Sequence, residues 1–211
     1  MLITWLSLAI VCLLGAMSPG PSFVVVTRNA LYRGKSAGLL AAWAHATGIG
    51  FWALLTVMGL SVLIRAVPVL FMAISFLGGA YLGWLGIKAI SQSSLILGNM
   101  NEGQNGSPWR GAQEGGLIAF LNPKTGLFFV ALFSPFVNPD AGTVWQCLMV
   151  ITPFVTDGVW FSVVTFLLVR PKVLTALRAK SLLVNRLSGA VLLVFAAGVF
   201  GHALTSLITA S

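Results

Sequence analysis

Two charged residues, Lys124 and Asp157, lie inside long apolar stretches of the chain. A charged side chain at the centre of a membrane helix costs about 2.5–3.5 kcal/mol on insertion scales, so charges retained there usually serve a function. Asp157 is the only acid deep in such a stretch, and Lys124 is its one internal candidate for a cationic partner. We expect Asp157 to bind a coupling proton and the ammonium group of a solute. The alternatives are a static ion pair and a lysine whose stem reaches the membrane surface.

Proline motifs occur in two of the apolar stretches, Ser18-Pro19-Gly20-Pro21 in the first and Asn122-Pro123-Lys124 in the fourth. Proline has no amide hydrogen and clashes with the carbonyl one turn earlier, and glycine adds backbone freedom. We therefore expect both helices to be interrupted, with a tolerated kink as the alternative. Each half-helix that begins after a break points its positive N-terminal end inward, and these ends together with Lys124 suit a carboxylate ligand. All residues of both motifs are candidate transport residues.

The remaining reactive side chains give weaker indications. His45 has the chemistry of a proton relay, but a lone histidine in a membrane helix is more often a hydrogen-bonded packing residue, which is what we expect here. Cys12 and Cys147 lie in different halves of the chain, so a membrane thiol-redox relay is one alternative function. The cysteine and histidine spacing fits no zinc site, and no HExxH pattern occurs. We predict no catalytic residue, no metal, no cofactor and no enzymatic activity.

Four glycines in the third apolar stretch form a face of small residues: Gly78, Gly79, Gly83 and Gly86. Small residues let two membrane helices approach closely. This face suits either packing within the chain or a contact with a second copy in a homodimer, and the sequence does not decide between them.

The composition indicates the environment in which these residues must lie. Of the 211 residues, 58% are hydrophobic and 8% are charged, whereas soluble domains carry about 25% charged residues. So few charges cannot cover a soluble surface, and the apolar side chains must face lipid. The net charge of +8 arises from scarce acids, because the chain has only four. The bases form short clusters between apolar runs, so we expect no nucleic-acid partner.

The apolar runs predict an all-α membrane protein with six transmembrane helices. A span needs about 20 mainly apolar residues. The candidate spans are 2–27, 38–63, 68–89, 115–136, 144–168 and 187–208. A cleaved signal peptide begins with positively charged residues, and the first span has none before it. We therefore expect this span to be retained.

The basic residues predict the orientation of these spans. Loops one, three and five contain ten of the twelve lysines and arginines, while Arg65 is the only one in the other loops. Basic loops stay on the cytoplasmic side. We therefore expect loops one, three and five in the cytoplasm, and both termini outside.

Weak internal similarity divides the chain into two three-helix units, 1–90 and 109–211, joined by a polar cytoplasmic linker at 91–108. Three pairs of motifs match in order: Pro19 with Pro123, Gly50-Phe51-Trp52 with Gly158-Val159-Trp160, and Gly79-Ala80 with Gly189-Ala190. Units of three helices must be inverted relative to each other across the membrane. Inverted repeats are a recurrent architecture of secondary transporters, with binding near the midplane, and chance similarity is the alternative.

Taken together, the Ser18–Pro21 motif, Gly79-Ala80-Tyr81-Leu82 with Gly86, and Asn122-Pro123-Lys124 before a phenylalanine-rich run resemble the LysE/RhtB family of bacterial amino-acid exporters. The resemblance covers essentially the whole chain. It implies a multi-pass protein of the bacterial inner membrane that exports amino acids such as threonine, homoserine, lysine, leucine or cysteine, by proton antiport. The threonine and homoserine exporters are the most similar branch. Asp157 resembles an acid that many members carry near this point.

The resemblance and the residues together predict alternating access between the two units, with an amino acid and a coupling proton as the partners. The main alternative is a transporter of an inorganic ion. A divalent cation prefers several oxygen ligands, and a chain with one deep acid supplies few of them.

Overall fold

The computed structural model of the chain describes residues 2–17, 20–91, 107–138, 140–168 and 181–210. These residues form eight α-helices and no β-strand. The helices are α1 (Leu2–Met17), α2 (Pro21–Tyr32), α3 (Lys35–Ala66), α4 (Pro68–Ser91), α5 (Trp109–Phe120), α6 (Pro123–Phe133), α7 (Thr143–Leu168) and α8 (Ser181–Ala210). Most of the predicted linker, 92–106, lies outside the described residues.

Three helices are long and apolar enough to cross a membrane by themselves: α3, α4 and α7. Two pairs of shorter helices reach the same criterion together, so the described residues have up to five spans if each bent pair crosses the membrane as one. The sixth predicted span, 187–208, overlaps α8, in which the apolar segment described is the shorter Gly189–Gly201. The chain is therefore a multi-pass membrane protein, and the sixth span stays a prediction.

Both bent pairs break at the predicted proline motifs. The axes of α1 and α2 differ by 65°, and those of α5 and α6 by 56°. Gly20 precedes α2 in an extended conformation (φ −144°, ψ −170°), and Pro21 is the first helical residue. Proline is favoured there because its missing amide hydrogen has no partner in the first turn of a helix and its φ angle already suits the helix. Pro123 begins α6 in the same way.

Glycine allows α3 and α5 to pack in close contact. Gly111 and Gly115 lie directly against the backbone carbonyls of Ala37 and Ala41, where a Cβ atom would collide with them. Further along the same interface, the indole nitrogen of Trp52 donates a hydrogen bond of 3.0 Å to the carbonyl of Ala119. Since α3 and α5 belong to different predicted units, the two units share one helical body.

The glycine face of α4 is also covered within the chain. A Cβ atom on Gly78 would lie 2.7 Å from Ala131 of α6, and one on Gly86 would lie 2.8 Å from the carbonyl oxygen of Gly189 in α8. The other two glycines of this face, Gly79 and Gly83, also point at α8. This face of four glycines is thus covered by α6 and α8 of the same chain.

Large apolar side chains are exposed along the outside of the bundle. Ile3, Leu77 and Val194 each leave more than two thirds of their surface uncovered. Soluble proteins rarely expose apolar surface on this scale, whereas lipid-facing helices do so as a rule. The outer surface therefore matches the bilayer environment that the composition predicts.

Candidate functional site

A chain of three polar side chains connects α2, α3 and α7 inside the bundle. Asp157 of α7 is 4% exposed, and its Oδ2 atom lies 2.7 Å from Nδ1 of His45 in α3. His45 is 3% exposed, and its Nε2 atom lies 2.8 Å from the hydroxyl oxygen of Ser22 in α2. Ser22 is partly exposed, so this cluster is buried at the acid and accessible at the serine.

Small residues bring α3 and α7 close enough for this contact. A Cβ atom on Gly158, next to the acid, would lie 2.8 Å from the ring of Trp43, and one on Gly38 would lie 2.7 Å from Thr165. The ring of Phe161 meets that of His45 edge-on, with centroids 5.3 Å apart. These apolar surroundings exclude water, which strengthens hydrogen bonds and raises the cost of leaving a polar group unpaired.

His45 is the partner that the structure gives to Asp157. The sequence predicts Lys124 as this partner and His45 as a hydrogen-bonded packing residue; His45 is indeed buried and hydrogen-bonded, and one of its partners is Asp157. The backbone of Lys124 lies in the first turn of α6, but its side chain is outside the described residues. A pairing of Lys124 with Asp157 therefore stays a prediction.

The first helix break lies next to the cluster. Gly20 and Pro21 immediately precede Ser22, while Ser18 and Pro19 lie outside the described residues. The carbonyl of Gly20 accepts a 3.2 Å hydrogen bond from the amide of Val24, which fixes the first turn of α2. Ser22 thus takes its position from the proline motif, and that adjacency is the sequence signal that could have identified it.

The second helix break meets the same helix, α3, about two turns away. Asn122 precedes α6, and its carbonyl accepts a 3.0 Å hydrogen bond from the amide of Thr125. Gly126 of α6 packs against the ring of Trp52, which lies seven residues after His45 in α3. Seven residues span about 10 Å along a helix. The helices that begin after the two breaks therefore both contact α3, at positions about two turns apart.

A second polar cluster joins α2 to α5. Glu114 accepts hydrogen bonds from Arg28 (2.6 Å), Asn29 (2.9 Å) and Arg33 (2.8 Å). Arg33 also donates a 2.7 Å bond to the side-chain oxygen of Asn29, which is almost completely buried. This cluster links the two predicted units at the end of α2 that is distant from the break.

Three buried polar groups on α2 and α7 have no hydrogen-bond partner among the described residues. They are the hydroxyls of Thr27 and Thr165 and the indole nitrogen of Trp160. An unpaired buried donor costs about 1–3 kcal/mol, so each of these groups calls for a partner such as water or a ligand. They lie on the same two helices as Ser22 and Asp157.

The two cysteines differ in their environments. Cys12 is buried in α1, whereas Cys147 is exposed near the beginning of α7. Both are free thiols.

The order serine, histidine, aspartate also occurs in serine hydrolases, where the aspartate fixes one tautomer of the histidine and the histidine accepts the serine proton. The residues 34–38 even match a GxSxG pattern, but Ser36 is exposed at the start of α3 and follows a helix. A nucleophile elbow needs a strand before it. What the cluster offers directly is a buried acid–imidazole pair that can exchange a proton with a hydroxyl.

The comparisons with known proteins agree with a membrane transporter. A family model described as LysE type translocator matches residues 13–201. The uncharacterized membrane protein YrhP of Bacillus subtilis is 31% identical over 160 residues, which cover 71% of this chain and 76% of that protein. The threonine efflux protein of Escherichia coli K12 is 27% identical over 175 residues, which cover 82% of this chain and 85% of that protein. No solved structure matches the chain significantly.

Proposed function

This chain belongs to the LysE type translocator family, and we propose that it is a secondary active exporter of amino acids that works by proton antiport in the bacterial inner membrane. The observation that carries the proposal is the buried Asp157–His45 pair, which reaches a partly exposed hydroxyl at the first helix break. A carboxylate retained inside a membrane bundle is costly and is typical of proton-coupled transport.

The substrate is a zwitterionic amino acid of the threonine and homoserine type, with lysine and leucine as further candidates. Similarity to proteins named threonine efflux protein supports this choice. The positive N-terminal ends of α2 and α6, together with Lys124, would receive the carboxylate. The ammonium group would be bound at Asp157. The unpaired hydroxyls of Thr27 and Thr165 are candidates for hydrogen bonds to a polar side chain of the substrate.

Transport follows from alternating access between the two inverted units of a six-span protein. The amino acid enters from the cytoplasm, and the unit 1–90 rocks against the unit 109–211 to expose the site to the outside. Binding of a proton at the Asp157 pair then displaces the ammonium group. The cluster around Glu114 joins α2 to α5, so this contact between the units has to rearrange during the cycle.

Counterflow in proteoliposomes tests this function with the purified chain. Vesicles loaded with unlabelled amino acid should transiently accumulate the same labelled amino acid, in a panel of threonine, homoserine, lysine, leucine and cysteine. Lys124→Ala should reduce counterflow at least tenfold while the protein still inserts and purifies in normal amounts, because the carboxylate site is lost.

Arg65→Ala is the matched control, since it removes a basic residue from an exposed ion pair. Normal counterflow by Lys124→Ala would refute the carboxylate site. Absence of counterflow for the whole panel by the unmodified chain would refute amino-acid export, and exchange of an inorganic ion would then favour the ion-transporter alternative.

A further inference from the structure

Both ring nitrogens of His45 are engaged, and this fixes how the cluster can hold its protons. A neutral imidazole carries one N–H donor and one acceptor nitrogen, whereas an imidazolium donates from both. Opposite an ionised Asp157, Nδ1 must donate across the 2.7 Å contact. In the neutral ring Nε2 is then the acceptor, and the hydroxyl of Ser22 donates across the 2.8 Å contact.

We propose that the coupling proton of this exporter enters at Nε2 of His45, and that the proton and the ammonium group of the substrate compete for the hydroxyl oxygen of Ser22. This inference rests on the proposed function and refines its ammonium site: the ammonium group is bound at Ser22, the accessible end of the cluster, and Asp157 acts on it through His45. His45 becomes the proton carrier, and Ser22 becomes a residue that contacts the substrate. Asp157 stays ionised and holds the ring in one tautomer.

The competition follows from the hydrogen-bond capacity of a serine. In the neutral cluster Ser22 donates to Nε2, so its oxygen is free to accept a hydrogen bond from an ammonium group. When a proton binds at Nε2, the hydroxyl rotates, keeps its own proton and accepts from the new N–H. One lone pair of the oxygen then accepts from the ring, and the positive charge of the imidazolium repels the ammonium group from the other. Loss of the proton to the other side of the membrane restores the first state.

Accessibility supports this assignment of roles. Ser22 is partly exposed, whereas His45 and Asp157 are buried, so a solute meets the serine first. The hydroxyl also lies in the first turn of α2, so a change of its bonding acts directly on the helix that begins at the break. Proton occupancy is thereby linked to the segment that has to rearrange during transport.

The other ionisable groups on the helices around this pair are few among the described side chains. Helix α1 contributes Cys12, a buried free thiol. Helix α2 contributes Arg28, the residue after it is Arg33, and α5 contributes Glu114, which pairs with both arginines. The arginines are thus bound to an acid of their own, and His45 is the group that contacts Asp157 directly.

Nitrogen NMR of the histidine ring in lipid vesicles tests the proton assignment without any substrate. The chain has two histidines, so His202→Gln leaves His45 as the only labelled ring. We expect a ring protonated at Nδ1 alone at high pH, and at both nitrogens at low pH. Adding Asp157→Asn should lower the doubly protonated fraction at least tenfold at a pH where half of the original rings are charged. A neutral ring protonated at Nε2, or a titration unchanged by Asp157→Asn, would overturn the proposal.

Transport of labelled L-threonine in proteoliposomes tests the competition. In the unmodified chain, acidifying the substrate side should raise the KM for threonine by close to tenfold per pH unit below the titration of His45. His45→Gln should make the KM independent of pH while exchange of threonine continues. Ser22→Ala should raise the KM at high pH about tenfold, and Ser22→Thr should restore it.

Ser75→Ala is the matched control, because Ser75 is a buried serine whose hydroxyl bonds to its own helix. An unchanged pH profile in His45→Gln would overturn the proposal. If the unmodified chain does not transport threonine, that substrate is excluded from the proposed function, and the NMR result still decides the role of His45.

Discussion

Two acidic residues, Glu114 and Asp140, form ion pairs that differ in their exposure to solvent. Glu114 is partly buried and accepts bonds from Arg28 and Asn29 of α2 and from Arg33, the residue that follows α2. Asp140 pairs with Arg65 at a distance of 3.1 Å, but their side chains are 89% and 63% exposed. Exposed ion pairs contribute about 0–1 kcal/mol, whereas hydrogen bonds to charged groups away from water contribute about 1.5–3 kcal/mol. Of these two ion pairs, the one at Glu114 therefore contributes more to stability.

Glu114→Gln should destabilise the protein by about 1.5–3 kcal/mol, because the amide keeps the shape of the side chain but leaves two arginines without their counter-charge. Unfolding in mixed micelles of increasing SDS content measures this change. Asp140→Asn, the matched loss of an acid from an ion pair, should change the free energy of unfolding by less than about 0.5 kcal/mol. Equal changes in the free energy of unfolding for the two substitutions would show that the Glu114 cluster stabilises the protein no more than the exposed pair does.

The sequence predicts some of the site residues better than others. Asp157 stands out because a carboxylate within an apolar stretch has few explanations. Its pairing with His45 cannot be predicted from the sequence, since the two residues are 112 positions apart and their contact depends on which helix faces meet. Periodicity is uninformative in these helices, because lipid-facing and core-facing residues are both apolar.

Close approach of helices is the main packing device at the scale of secondary-structure elements. In α5, Gly115 lies against the carbonyl of Ala41, where a Cβ atom would collide with backbone. The adjacent Gly116 is open, since a Cβ atom there would lie 3.9 Å from Ala44. Two neighbouring glycines thus have opposite tolerances for the same substitution.

Gly115→Ala should destabilise the protein by about 1–3 kcal/mol, because α3 and α5 must separate to admit the methyl group. Gly116→Ala should be neutral or stabilising by up to about 1 kcal/mol, since alanine is the better helix former. The same SDS titration compares the two variants. Equal stability of both would contradict the packing of α5 on α3 described above.

The positions of the helix breaks could be predicted, but the partners of the helices could not. Proline has a local steric effect, so Pro21 and Pro123 mark the start of α2 and α6 in the sequence itself. The glycine face of α4 was equally visible, but its neighbours α6 and α8 are set by long-range packing. Only the structure shows that this face is covered within the chain.

At the scale of the whole molecule, composition alone is enough to identify a helical membrane protein, because a chain with 8% charged residues has no other stable environment. The two predicted units are connected by the packing of α3 on α5 and α7, and by the bonds between α2 and Glu114. The inverted arrangement and the cytoplasmic position of loops one, three and five stay predictions from the motifs and the basic residues.

Uptake of labelled amino acids into everted membrane vesicles tests the central claim most directly, because eversion turns export into uptake and the proton gradient can be switched off. We expect the unmodified chain to accumulate threonine or a related amino acid, and a protonophore to abolish this accumulation. At an equal amount of inserted protein, Asp157→Asn should reduce the gradient-driven accumulation at least tenfold, while Asp140→Asn should leave it unchanged. Full accumulation by Asp157→Asn, or no accumulation of any common amino acid by the unmodified chain, would contradict the account.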